Sequence, residues 1–176
     1  MYGFAAGDPI NFSDPFGLCP LCTAAGVSAA ATLTGPAFDQ LNPKGFVVNN
    51  SLARLNTVAL YANLADQRGN DGFEFQVTGG DRYEELSVVS TNAYSGTERL
   101  NVTIRSSTDG SMVGGSAGNS QHLDRNGGSA VDLRINGVPN STVDAAIGKT
   151  GFDPSKTRRN YPENPHTHVA LPNKPR

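Results

Sequence analysis

Six residues, Ala130-Val-Asp-Leu-Arg-Ile135, constrain the fold more than any other stretch of the chain. Val131, Leu133 and Ile135 alternate with Ala130, Asp132 and Arg134, the period of a strand with one apolar face. Asp132 therefore stands on the face away from the apolar row, where an acid on a core strand needs a partner. A Gly-rich turn separates this strand from Asn119-Ser-Gln-His122, so a histidine and a carboxylate flank the same turn.

Two other stretches share the alternation. Phe73-Glu-Phe-Gln-Val-Thr78 puts Phe73, Phe75 and Val77 on one face and is stopped by Gly79-Gly80. His166-Thr-His-Val-Ala-Leu171 puts His166, His168 and Ala170 on one face, with Val169 and Leu171 on the other. Weaker strand patterns cover 86–90 and 100–105, around the turn Ser95-Gly96. A helix is predicted from Asn50 or Ser51 to Gly69-Asn70, with Leu52, Leu55, Val58, Ala59, Ala62 and Leu64 as its core-facing stripe. A shorter helix is predicted over 141–147, while 106–121 and 149–165 read as polar loops. Together these patterns predict an α+β fold: a small antiparallel sheet flanked by helices, with 20 Gly and 11 Pro making it loop-rich. Residues 19–48 are small, apolar and punctuated by Pro and Gly, the composition of a linker, and the folded domain is expected over 49–176.

Composition narrows the function classes. Fourteen basic against sixteen acidic residues leave a net charge of −2, which provides no basic field for nucleic acid. The N-terminus lacks the basic and apolar regions of a signal peptide, and 21–38 is too polar for stable membrane insertion. Cys19 and Cys22 form a CxxC, but no strand-then-helix pattern of a redox fold follows, so a catalytic role is not expected.

All three histidines, His122, His166 and His168, fall beside the two strands that carry Asp132 and the C-terminal alternation. If those strands are neighbours, His122 completes a set of two histidines and one carboxylate. Zinc accepts such ligands at about 2.0–2.2 Å and keeps a fourth position for water, whose pKa falls to about 7. Glu163, just upstream of the last histidines, is placed to act as general base.

Two family resemblances add to this reading. Residues 1–18, with Asp8-Pro9, Asp14-Pro15 and the ending Asp14-Pro-Phe-Gly-Leu18, resemble the end of the Rhs (rearrangement hotspot) core, YG…DPxNxxDPxGL. In that family the core is a shell carrying a variable C-terminal toxin, cleaved near this motif. The resemblance implies an effector domain delivered by a contact-dependent or type VI apparatus, with the Rhs shell and a cognate immunity protein as partners.

Further along, Ser120-Gln-His122 followed by Gly128-Ser-Ala-Val-Asp132 resembles the SxHxxGxAxD motif of zinc peptidases related to D-alanyl-D-alanine carboxypeptidases and the Hedgehog N-terminal domain. Asp132-Leu-Arg-Ile-Asn-Gly-Val-Pro139 is similar to the DLRIxGVP of one bacterial branch, and Val77-Thr-Gly-Gly-Asp-Arg82 to the strand ending in SGxR. The resemblance implies His122, Asp132 and His168 as zinc ligands, Glu163 as catalytic base, and Arg82 as substrate or oxyanion contact, with His166 also available to steady an oxyanion. It implies peptidoglycan stem peptides as substrate and action in the periplasm of a target bacterium. The His-to-Asp spacing exceeds the family pattern by three residues, read as an insertion around Leu123–Asn126. Glu163-Asn-Pro-His166 also fits the family's ExxH form, which makes His166 the alternative third ligand; strand alternation favours His168. The competing functions are a metal-dependent nuclease toxin and a non-catalytic wall-binding module.

Overall fold

The chain packs one face of a three-stranded sheet against helices and leaves the other face for polar side chains. Its computed structural model describes residues 35–68, 72–92, 94, 96–113, 120–159 and 165–173. In chain order the described elements are α1 (35–41), α2 (Ser51–Arg68), β1 (Glu74–Gly79), β2 (Arg82–Asn92), β3 (Thr97–Ser106), β4 (Ala130–Asn136), α3 (Asn140–Ile147) and β5 (Thr167–Ala170). The fold is α+β. The sheet order is β1-β4-β5, antiparallel throughout, and β2 pairs with β3 as a separate antiparallel ribbon.

Register follows from the alternation. Phe75 faces Ile135, Val77 faces Leu133 and Val131 faces Val169, so the apolar rows of all three strands form one surface. That surface joins Leu60 and Leu64 of α2, Val143, Ala146 and Ile147 of α3, and Phe152 in one core. Each fully buried Leu, Val or Phe in it contributes roughly 1.5–3 kcal/mol of transfer free energy. Tyr61 adds an edge-on contact to Phe75 at 5.5 Å between ring centroids.

The core face of α2 differs from the expected Leu stripe. Asn50 caps the helix as expected, its Oδ1 accepting from the Leu52 and Ala53 amides at 3.1 Å. The buried face, however, is Ala53, Asn56, Thr57, Leu60 and Leu64, while Leu52 and Leu55 are exposed. Polar side chains are tolerated inside because their hydrogen bonds are satisfied there. Thr57 Oγ1 donates to the Ala53 carbonyl at 2.8 Å, and Asn56 Oδ1 accepts from the Gly151 amide at 2.6 Å. Periodicity alone favours the leucines, and it registers neither hydrogen bond.

Residues 35–48, within the stretch read as linker, belong to the folded body, with Phe38, Leu41 and Val48 in the core. The end of this segment passes close to the turn after β1: the Asp81 amide donates to the Val47 carbonyl at 2.7 Å. A Cβ on Gly80 would stand 2.1 Å from that carbonyl oxygen, so only glycine permits the close approach. The β2–β3 ribbon also departs from expectation. Its strands are much longer than the predicted 86–90 and 100–105, and most of their apolar side chains face solvent. Among the described residues, no helix is long and apolar enough to cross a membrane.

Candidate metal centre

The polar face of the sheet gathers the site. In the β4–β5 ladder Asp132 is the direct partner of His168, and directly opposed residues project to the same side. Across β4's other edge the partner of Asp132 is Gly79, at a bulge that ends β1. A Cβ there would lie 2.6 Å from Asp132 Oδ2, so the missing side chain makes room for the carboxylate.

His122 enters from the loop before β4. Its carbonyl accepts from the Arg82 amide at 2.8 Å, and the neighbouring Ser129 amide closes back on the Gln121 carbonyl at 2.8 Å. Between these ties, Asp124–Asn126 form an exposed 3-10 turn while Leu123 is buried beneath it. Asp124–Asn126 thus bulge outward, while Leu123 and His122 stay buried against the body.

Three atoms converge. His122 Nε2 lies 3.1 Å from Asp132 Oδ1 and 3.1 Å from His168 Nδ1, and His168 Nδ1 lies 3.0 Å from the same Asp132 oxygen. His122 and Asp132 are buried and His168 is partly so, and the group can hold a metal ion. The Nδ1 of His122 is 2.9 Å from the Gly80 carbonyl, which can only accept, so this nitrogen carries the ring proton. Burial holds the His122 imidazole below its ordinary pKa, outweighing the pull of Asp132, and so keeps the ring neutral. Its Nε2 therefore presents a lone pair to the cluster.

For Asp132, burial favours the neutral form, but the close contacts with the His122 and His168 rings together outweigh it and hold the carboxyl well below the usual range. With His122 neutral, the three contacts share at most one proton, on His168. Converging lone pairs with so few protons are the arrangement that a bound cation resolves.

The remaining candidates take different places. Arg82 Nη2 is 3.2 Å from Asp132 Oδ2, so Arg82 grips the carboxylate oxygen that does not face the histidines. His166 Nε2 lies 3.5 Å from Asp132 Oδ1, bordering the same oxygen that His122 and His168 approach. Glu163, Cys19, Cys22 and the Rhs-like residues 1–18 lie outside the described residues. Gly79 and Gly80 read in the sequence as a strand stop and as part of the SGxR-like stretch; in the structure one makes room for Asp132 and the carbonyl of the other sets the His122 tautomer.

Asp81 is a second buried acid beside the site. Burial pushes its carboxyl up to about 6, the Asn49 backbone amide pulls the other way, and the Asp124 charge adds to the rise. Its Oδ1 has no hydrogen-bond partner, and a Cβ on Gly128 would stand 2.7 Å from it. A cleft of about 250 Å³ lies on the flank, lined by Tyr83, Glu84, Leu123, Asp124 and Arg125 and by none of the three converging residues.

No protein-family model matches the chain, and no curated protein or solved structure does so either.

Proposed function

We propose that the chain is a zinc-dependent peptidase that hydrolyses amide bonds in peptidoglycan stem peptides, within a Hedgehog/D-alanyl-D-alanine-peptidase-like fold. On this reading it is the C-terminal toxin of an Rhs-repeat protein, carried in the Rhs shell, delivered to the periplasm of a target bacterium and blocked in the producer by a cognate immunity protein. The observation that carries the reading is the meeting of His122, Asp132 and His168 at 3.0–3.1 Å, in the order and strand context of the peptidase motif. A tetrahedral zinc site has ligand–ligand edges of about 3.3 Å, close to these separations.

A bound zinc ion supplies Lewis-acid polarisation of a scissile carbonyl and activation of water at neutral pH. The chain's own residues prepare the rest. The Gly80 carbonyl orients His122, and Arg82 anchors the outer oxygen of Asp132 so that Oδ1 is presented inward. The Arg82 side chain is partly exposed and is the candidate donor to a developing oxyanion, with His166 also bordering Asp132. Glu163 takes the role of general base, three residues ahead of His166. Among the described residues this is the one group of metal-ligating side chains, which leaves no second carboxylate cluster for a two-metal nuclease.

The test uses the purified full chain with zinc, purified muropeptides and supercoiled plasmid. The expected result is cleaved stem peptides and intact DNA, with cleavage lost in His122→Ala. Nicked DNA with intact muropeptides overturns the reading in favour of a nuclease. Bound but uncleaved wall fragments overturn it in favour of a non-catalytic binding module.

A further inference from the structure

The outer edge of β5 is covered by a short extended segment rather than by solvent. Arg158 and His168 form an antiparallel bridge in which each amide donates to the other's carbonyl, at 3.0 and 2.8 Å. In such a hydrogen-bonded pair the Cα atoms are about 5.5 Å apart and the two side chains leave on the same side. Gly79, Asp132, His168 and Arg158 therefore form one row across the polar face, running from the edge of β1 through the metal centre to Arg158.

Arg158 is exposed, and among the described residues its guanidinium has no hydrogen-bond or ion-pair partner. The arginines around it are engaged: Arg82 with Asp132, Arg125 with Glu84 and Arg159 with Asp144. The segment is nevertheless firmly placed. The Arg159 ion pair ties it to α3, and the Asp153 amide donates to the Ala170 carbonyl at 2.8 Å. A cation held in fixed backbone register beside a ligand position, with its donors unspent, is suited to bidentate capture of a carboxylate.

We propose that Arg158 is the anion-binding residue of this site and takes the terminal carboxylate of a peptide lying across the polar face. The inference rests on the peptidase reading for the identity of the ligand, and it makes the preferred substrate a peptide with a free C-terminus. Arg134, two residues along β4 from Asp132 and on the same face, is the rival cation; it pairs across with Gln76, on the side of β4 away from His168.

The test is equilibrium binding to the full chain, by calorimetry, with and without zinc. The probes are N-acetylated Lys-D-Ala-D-Ala and the same peptide as its C-terminal carboxamide. Wild type is expected to prefer the carboxylate, and Arg158→Gln to lose that preference by on the order of ten- to a hundredfold. Arg158→Lys should restore part of it, and carboxamide binding and zinc content should stay unchanged. Because the bridge to His168 uses main-chain atoms only, the substitution leaves the fold in place. Equal affinity of wild type for the two peptides, binding of neither, or loss of the preference in Arg134→Gln instead of Arg158→Gln overturns the proposal. Cleavage of both peptides at equal rates sinks this inference and spares the peptidase; carboxylate-selective binding without cleavage does the reverse.

Discussion

Gly79 and Asp132 are direct partners across β1 and β4, and a methyl group on Gly79 would stand 2.6 Å from Asp132 Oδ2. Gly79→Ala should therefore push the carboxylate out of line while leaving the apolar face of the sheet intact. The expected loss is about 1–3 kcal/mol of stability and on the order of ten- to a hundredfold in zinc affinity. Chelator competition and urea unfolding measure the two. Unchanged zinc affinity would show that Asp132 does not need the space Gly79 leaves.

Metal linkage gives a second expectation. At a hundredfold excess over its dissociation constant, zinc should stabilise the wild-type fold by about 2.7 kcal/mol. The melting temperature should rise on adding zinc and fall back on adding EDTA. Asp132→Asn and His122→Ala should lose that increment, because the first removes the charge of the carboxylate ligand and the second removes one of the converging nitrogens. A zinc shift that survives in both variants places the metal elsewhere.

Asp81 sets a pH dependence with a definite sign. Its carboxyl titrates near 6 in the folded chain, against an ordinary value of 3.8. Between those values the folded state holds more protons than the unfolded one, so this group's contribution to stability falls as pH rises and levels off above about 6. Asp81→Asn has nothing to titrate there. The stability of wild type relative to the variant should drop by roughly 1–3 kcal/mol between pH 4 and pH 7, read from thermal melts across that range. A constant difference would mean that Asp81 titrates normally.

The β2–β3 ribbon pairs Leu86 with Val102 and Val88 with Leu100, and all four side chains are 50–62% exposed. Replacing Leu100 and Val102 by Thr should change unfolding free energy by no more than about 0.5 kcal/mol per site. Leu133→Ala, in the core of β4, should cost about 2–5 kcal/mol. A large loss from the ribbon substitutions would show that its apolar face is buried in solution.

Much of the site was legible from the chain. The alternation around Asp132 and His168 placed each on the polar side of its own strand, and Ser120-Gln-His122 stood out beside the Gly-rich turn even though its spacing to Asp132 exceeds the motif's by three residues. Less of the fold was legible where burial depends on hydrogen bonds rather than hydropathy. Asn56 and Thr57 lie inside α2's packed face because Gly151 and Ala53 satisfy them, while Leu52 and Leu55 of the expected stripe stay outside. The weaker strand patterns at 86–90 and 100–105 did not tell an uncovered ribbon from a packed sheet, because strand periodicity is the same whether or not a second layer covers it. Arg158 fell in a stretch that reads as polar loop, since a single bridged residue leaves no periodic trace.

By itself the sequence determined which side chains share a face within each strand, because the two-residue period is a property of the local backbone. Tertiary structure alone decided that β4 lies between β1 and β5, that Asp132 falls opposite Gly79 and His168, and that the Gly80 carbonyl meets His122. Those relations join residues 36 to 53 positions apart. They are set by long-range pairing and by the space one missing Cβ leaves, neither of which any local pattern encodes.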